Sequence, residues 1–156
     1  MVENDVIRSK LRYLKEYLED LSEYRGISLS DYSSSKKDQR FVERTLHLAC
    51  ECCIDVAAHI VSRKSLRPAR DNKDLFNVLE KNGIITAPVS SSMKKMAQFR
   101  NIVVYDYARI DPAIVVAILH RDVDDFKSFA AEVLARAPEP AAGGAKRRGG
   151  PEIGRR

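Results

Sequence analysis

The sequence predicts an all-α fold, a bundle of about five helices, and two features of the chain lead to this prediction. Apolar residues recur every three to four positions over long stretches, which is the periodicity of amphipathic α-helices. Glycine, proline and serine fall between these stretches, where helices end and loops begin. We therefore expect no strands, no internal repeat and no glycine-rich phosphate loop.

The first predicted helix, residues 4–24, has a single apolar stripe, and Gly26 can end it because glycine tolerates a positive φ. The stripe consists of Ile7, Leu11, Leu14, Leu18 and Leu21. Residues 27–35 are rich in serine and read as a loop. The second helix, residues 36–65, has a broad apolar face, which predicts a central position in the bundle.

The third and fourth helices are predicted from their N-terminal capping residues. Asp71 or Asn72 can cap a short helix over residues 73–81. The connector that follows contains Pro88, and the serines at residues 90–92 can cap a fourth helix that extends to about residue 107.

The fifth helix begins at Asp111 and Pro112, an acidic N-cap followed by proline at the first helical position, and extends to about residue 136. Residues 1–136 therefore form one helical domain. The tail, residues 137–156, is rich in Gly, Pro, Ala and Arg and is predicted to be disordered. The wide apolar faces of the two long helices favour a homodimer.

The charge of the chain is unevenly distributed. The net charge is +5, but the last twenty residues contribute most of it, so that the helical body is close to neutral. A mildly basic body does not by itself indicate a nucleic-acid partner. No apolar run approaches the ~20 residues of a membrane span, and the acidic N-terminus is unlike a signal peptide, so we expect a cytoplasmic protein without a membrane partner.

Three cysteines, Cys50, Cys52 and Cys53, lie within the second predicted helix. Cys50 and Cys53 have C-x-x-C spacing, which occurs in redox pairs and in half of a zinc site. No second pair of Cys or His residues at ligand spacing completes such a site. We therefore expect no metal and interpret the cysteines as small apolar residues of the core.

Polar residues concentrate late in the fourth helix, among branched apolar residues. They are Arg100, Asn101, Tyr105 and Tyr107. Asn101 and Tyr105 share a helix face, whereas Arg100 and Tyr105 differ by about 140° on a straight helix. Those two side chains would then meet only if the helix bends or if a second copy of the chain lies alongside. The alternative is a purely structural role, with Arg100 paired to Asp55 or Glu51.

Several segments together resemble a known family. They are residues 40–47, 54–60, 76–85, 93–101 and 106–111. The combination is similar to the HEPN ribonucleases, in particular the HepT-like toxins of nucleotidyltransferase-linked toxin–antitoxin pairs, over most of residues 3–130. The family signature R-N-x-x-x-H-x-Y reads R-N-I-V-V-Y-D-Y over residues 100–107, so that Tyr105 replaces the histidine.

The resemblance implies a HEPN-type homodimer with an endoribonuclease cleft at its interface, acting without metal or cofactor as the toxin of a type VII-like system. Arg100 would hold the RNA phosphate while the ribose 2′-hydroxyl attacks it, with Asn101 and Tyr105 completing the site. The family histidine moves a proton near neutral pH, whereas a tyrosine, with a reference pKa of ~10, is a poor base there. Because losing a general acid–base group usually costs ~10²–10⁴-fold in rate, we expect weak or absent ribonuclease activity.

The resemblance also implies a partner, a small nucleotidyltransferase antitoxin that silences the toxin by attaching AMP to Tyr107. The added phosphate beside Arg100 would occupy the place of an RNA phosphate. Two alternatives remain open. One is a non-catalytic HEPN dimer that is a binding partner and AMPylation substrate of the antitoxin, and the other is a helical adaptor with no RNA role.

The chain has three histidines, and none lies in the signature. His47 and His59 fall on the second helix and differ by about 120° in direction, so at most one faces a cleft. Compensation for the missing histidine by one of them is the less favoured interpretation, and His120 is predicted to lie at the surface.

Overall fold

A computed structural model of the chain describes residues 2–106, 108 and 110–137, with side chains described from residue 6 onward. The predicted modification site Tyr107 lies outside the described residues, as does the predicted disordered tail beyond Ala137. The last helix ends at Arg136, and its C-cap Ala137 is buried and donates its N–H to the Val133 carbonyl at 2.8 Å.

The described chain forms an all-α bundle without strands, as the sequence predicts. Its helices are α1 (Val2–Ser22), α2 (Leu29–Ser33), α3 (Lys36–Arg63), α4 (Asn72–Lys81), α5 (Ala87–Tyr105), α6 (Pro112–Ala117) and α7 (Val123–Arg136). A π-helical turn, Ile118–Asp122, joins α6 to α7. The predicted fifth helix is therefore present but is interrupted by this wider turn.

Helix α3 is the centre of the bundle. It packs against α1, α4, α5 and α7, and residues on several of its faces, including Val42, Leu46 and Ala57, are fully buried. Among the described helices, α3 alone is long and apolar enough to cross a membrane by length and composition, but 61% of its most apolar window is buried inside the bundle. Burial of this kind is typical of the core helix of a folded domain.

The segment predicted as a loop contains the short helix α2. The Ser28 hydroxyl accepts a hydrogen bond from the Asp31 N–H at 3.0 Å, which caps the helix, and Tyr32 is fully buried. A helix of five residues contains little more than one turn, so it offers no repeated apolar spacing from which to predict it.

Helix α5 begins earlier than predicted. Thr86 is its N-cap, and Pro88 lies in its first turn, where a proline costs nothing because the N–H groups there have no partner within the helix. The serines predicted as caps lie inside the helix instead. Ser90 is fully buried, and its hydroxyl donates to the Phe76 carbonyl on α4 at 3.3 Å.

The start of α4 is fixed by a buried carboxylate, Asp74. It accepts two hydrogen bonds from the Arg67 guanidinium, at 2.7 and 3.0 Å, and one from the Arg70 N–H at 3.0 Å. The Asp71 side chain accepts from the Asp74 N–H at 2.8 Å, which confirms Asp71 as the N-cap. These bonds, led by that of Arg67, hold the pKa of Asp74 well below its usual range.

The three cysteines are buried and unpaired, as the interpretation of them as core residues predicts. Burial raises the pKa of the Cys52 thiol to about 11 and raises the pKa of Cys50 and Cys53 as well. A thiolate is the form that binds metal or reacts with disulfides, so this environment suits packing rather than chemistry.

Replacing Asp74 with Asn should lower the melting temperature at pH 7, because the charged partner of Arg67 is lost. Since folding lowers the pKa of Asp74, its contribution to stability is present above the unfolded pKa of ~3.9 and declines as the pH falls below that value. Thermal unfolding of both proteins from pH 7 down to pH 3 should show their melting temperatures converging at acid pH.

Asp124→Asn is the matched control. Asp124 also accepts two bonds from one guanidinium, that of Arg25, but both side chains are about half exposed, and pairs of that kind contribute little. A drop for Asp124→Asn as large as that for Asp74→Asn would contradict the role assigned to the buried carboxylate.

Candidate active site

The polar segment of α5 lines a cavity of about 300 Å³ between the end of α5 and the start of α4. Its lining residues are Asp71, Asn72, Lys73, Arg100, Asn101 and Tyr105. A larger cavity of about 500 Å³ lies between α1 and α7, but leucines and the stems of charged side chains form most of its wall. The smaller cavity brings several polar groups together and is therefore the candidate site.

Arg100 is the central cation of this site. One guanidinium nitrogen, Nη2, donates to Glu51 Oε2 on α3 at 3.2 Å, and Nη1 donates to Asn101 Oδ1 at 3.2 Å. The third nitrogen, Nε, is buried and has no hydrogen-bond partner among the described residues. The hydrogen bond and charge of Glu51 raise the pKa of Arg100, so the guanidinium is charged at any physiological pH.

Glu51 is one of the two carboxylates that the sequence offers as a partner for Arg100, and the other, Asp55, pairs elsewhere. The Asp55 carboxylate accepts from Lys10 Nζ at 3.0 Å, at the α1–α3 contact. The Arg100–Glu51 pair is partly buried, with side chains 18% and 33% exposed. Both the structural and the catalytic interpretation of Arg100 are therefore compatible with its contacts.

Arg100 and Tyr105 both line this cavity within one chain, and α5 is continuous to Tyr105. Tyr105 is the last helical residue and is 76% exposed. After Glu51, which has the largest effect, Tyr105 also contributes to raising the pKa of Arg100. One chain therefore brings both side chains to the cavity.

His47 is connected to the site through Glu51, which contacts both His47 and Arg100. Its Nε2 lies 3.3 Å from Glu51 Oε2, the same oxygen that Arg100 contacts, and its Nδ1 lies 3.3 Å from Arg44 Nη1. A guanidinium N–H can only donate, so Nδ1 accepts and Nε2 carries the proton that Glu51 accepts. His47, Glu51 and Arg100 thus form a hydrogen-bonded chain from α3 to α5.

The other two histidines lie apart from the cavity lining. His59 Nε2 is buried without a hydrogen-bond partner among the described residues. His120 is exposed, as predicted, and its Nε2 donates to the Ile27 carbonyl at 2.7 Å. No histidine lines the cavity, so the described part of the chain supplies no substitute for the missing histidine there.

The structure adds residues that the sequence did not indicate. Asn72 and Lys73, from the first turn of α4, form part of the cavity wall opposite α5. Their position follows from packing between helices that are distant in sequence, and no local pattern encodes it. Among the described residues, no cluster of His, Cys, Asp and Glu has the arrangement of a metal site.

The bundle, with an Arg-Asn pair and a tyrosine at the end of its fourth long helix, has the architecture of a HEPN domain. A family profile described as ribonuclease HepT-like matches residues 14–133. The chain therefore belongs to the ribonuclease HepT-like family, which confirms the resemblance drawn from the sequence.

Relatives of known description agree with this assignment. The chain is 35% identical over 129 residues to an mRNA nuclease HepT of Shewanella oneidensis, covering 81% of this chain and 94% of the relative. It is 32% identical over 111 residues to a tRNA nuclease HepT of Aphanizomenon flos-aquae, covering 71% and 76%. A structure of a tri-AMPylated Shewanella oneidensis HEPN toxin in complex with an MNT antitoxin matches with a TM-score of 0.78 at 32% identity, covering 84% of this chain and 98% of that one.

The chain of hydrogen bonds predicts the tautomer of His47. At pH 8, where a neutral imidazole is the reference form, long-range ¹H–¹⁵N correlation spectra should show the proton of His47 on Nε2. In the Arg44→Ala variant Nδ1 loses its donor, so the spectra should move towards a mixture of tautomers. A proton on Nδ1 in the unaltered protein would show that the contact with Arg44 is not formed.

Proposed function

We propose that the protein is a HepT-like toxin that binds RNA through Arg100 and works as a cytoplasmic homodimer, with ribonuclease turnover reduced by Tyr105. The observation that carries the proposal is the shared cavity, where Arg100, Asn101 and Tyr105 face one space large enough for part of a nucleotide. The nuclease relatives support the substrate class, and the antitoxin complex of the similar toxin supports the partner.

The proposed chemistry is metal-independent cleavage, in which the ribose 2′-hydroxyl attacks the adjacent phosphate. Arg100 would stabilise the charge that develops on the phosphate oxygens, for which a guanidinium is suited. Asn101 holds Nη1 of Arg100 and so orients the guanidinium. Tyr105 can donate a hydrogen bond to the phosphate, but a tyrosine hydroxyl does not take up a proton at neutral pH.

The bond to Glu51 determines which N–H groups of Arg100 are available to a phosphate of the substrate. A guanidinium has five N–H groups, and one of Nη1 and one of Nη2 already bond to Asn101 and Glu51. Arg100 therefore engages a phosphate with its remaining donors or exchanges Glu51 for it. In either case the carboxylate holds the cation in place before RNA arrives, which reduces the cost of ordering a long side chain.

The homodimer is supported by an uncovered apolar face beside the cavity. Ile102 and Tyr105 are three residues apart on the last turns of α5, on neighbouring positions of one face, and are 38% and 76% exposed. A second copy covering this face would bring two cavities together in one cleft. Such a symmetric contact uses the same patch on both protomers.

The second proposed partner is a nucleotidyltransferase antitoxin, with Tyr107 as the AMPylation site. Tyr107 follows Tyr105, a residue of the cavity lining, by two positions in the sequence. An AMP phosphate attached there would compete with RNA for Arg100. The alternative function, a non-catalytic dimer that serves as binding partner and modification substrate, is favoured by the absence of a histidine from the described cavity lining.

Restoring the histidine tests the catalytic part of the proposal. Tyr105→His should raise cleavage of single-stranded RNA by ~10²–10⁴-fold, because it returns a group that titrates near neutral pH. Cleavage is measured in the presence of EDTA, and growth arrest is measured in cells that express each form. Tyr105→Phe, which adds no titrating group and removes the hydroxyl, is the matched control and should show no gain in cleavage over the unaltered chain.

Arg100→Ala distinguishes the two proposed functions. In the Tyr105→His background it should abolish cleavage, and in the unaltered chain it should weaken RNA binding. If Tyr105→His stays inactive while Arg100→Ala still weakens RNA binding, the non-catalytic dimer is the function. If neither change has an effect, the RNA role is wrong.

The proposed interface is tested with Ile102→Lys, which places a charge on the apolar face of α5. The unaltered protein should elute as a dimer in size-exclusion chromatography with light scattering, and Ile102→Lys should elute as a monomer. Leu134→Lys on α7, at a residue that is 49% exposed, is the control and should remain dimeric. A monomeric unaltered protein would refute the dimer.

A further inference from the structure

Lys73 is a cation of the cavity lining for which the described residues supply no partner. It lies in the first turn of α4, whereas Arg100 belongs to α5. Among the described residues it makes no ion pair and no hydrogen bond through its side chain, whereas Arg100 is already paired with Glu51. A partly buried ammonium beside an open cavity is best satisfied by an anion that enters from solvent.

The backbone beside Lys73 is fixed by its neighbours in the chain. The next residue, Asp74, is 2% exposed and bound to Arg67. Asp71, the carboxylate of the cavity wall, accepts the N–H of Asp74 at 2.8 Å and caps the helix. Among the described residues, Asp71 and Lys73 line the same cavity without forming an ion pair.

We infer that Lys73 is a second phosphate-binding residue of this site, which pairs with an RNA phosphodiester across the cavity from Arg100. The inference rests on the proposed function, since it assigns a further contact to the same substrate. Arg100 and Lys73 then contribute differently. The guanidinium, held by Glu51 and Asn101, is directional, whereas the lysine ammonium acts as a point charge on a flexible stem.

The size and charge of the cavity fit this ligand. Its volume of about 300 Å³ lies at the lower end of small-ligand pockets, which suits one nucleotide unit rather than a folded RNA surface. Two cations from different helices, Lys73 of α4 and Arg100 of α5, suit an extended backbone with a charge at each unit. Because a phosphate contact carries no base information, Lys73 contributes affinity without sequence preference.

The test compares Lys73→Gln with the control Lys81→Gln. Lys81 lies in the last turn of the same helix, is exposed and is not part of the cavity lining. Binding of a fluorescein-labelled single-stranded RNA is measured by anisotropy over a series of salt concentrations. Lys73→Gln should weaken binding by about fivefold at low salt. It should also lower the slope of log affinity against log salt by about 0.7, as expected for one lost phosphate contact.

Lys81→Gln should keep the affinity and the slope of the unaltered chain, and Lys73→Arg, which retains the charge, should lose less affinity than Lys73→Gln. Thermal unfolding of each variant confirms that α4 is intact, and in the Tyr105→His background Lys73→Gln should raise KM with little change in kcat. If Lys73→Gln binds RNA like Lys81→Gln, the inference is wrong.

Arg100→Ala in the same assay separates this failure from failure of the proposed function. If Arg100→Ala weakens binding and Lys73→Gln does not, only the role of Lys73 is refuted. If the unaltered chain and Arg100→Ala bind RNA equally weakly, both are refuted. A Lys73→Gln variant that slows AMPylation by the antitoxin but binds RNA normally would assign the lysine to the modifying nucleotide and overturn the inference.

Discussion

The ion pair between Glu51 and Arg100 connects the candidate site to the centre of the fold. Glu51 belongs to α3, the core helix, and Arg100 to the last turns of α5, so the pair fixes the cation relative to the most buried part of the bundle. His47 shares the same carboxylate oxygen and limits how Glu51 can move. Because the pair is only partly buried, the phosphate of the proposed substrate would compete with Glu51 without exposing a fully desolvated charge.

The residues that line the cavity come from two helices, α4 with its N-cap and α5. Arg100 and Tyr105 come from α5, while Lys73 comes from the start of α4, where Asp74 and its arginine partners set the backbone. Ser90 on α5 donates to a carbonyl of α4, so the two helices are joined by packing below the site. The geometry of the site therefore depends on the α4–α5 contact as much as on the sequence signature.

Local patterns in the sequence predict the long helices and single out the polar residues of α5. They do not predict which side chains from different helices lie together. Repeated apolar spacing predicts α3 correctly, whereas α2 is too short to show a period. Pro88 was interpreted as part of a connector, although it lies in the first turn of α5. Helical angles predict that Arg100 and Tyr105 point in different directions, but they do not predict that both side chains line one cavity. The presence of Lys73 in the lining depends on a contact between helices, which no local pattern encodes.

In this cavity the position of the family histidine, occupied by Tyr105, is separate from the cation Arg100. Proton transfer needs a group that titrates near neutral pH, and the altered position lies at the exposed end of α5. Phosphate binding needs fixed positive charge, which Arg100 holds through Glu51 independently of Tyr105. Under the proposed function, the substitution would affect turnover without removing the contacts that bind the substrate. The chain would then keep a ligand site, and remain a target for modification, after losing efficient catalysis.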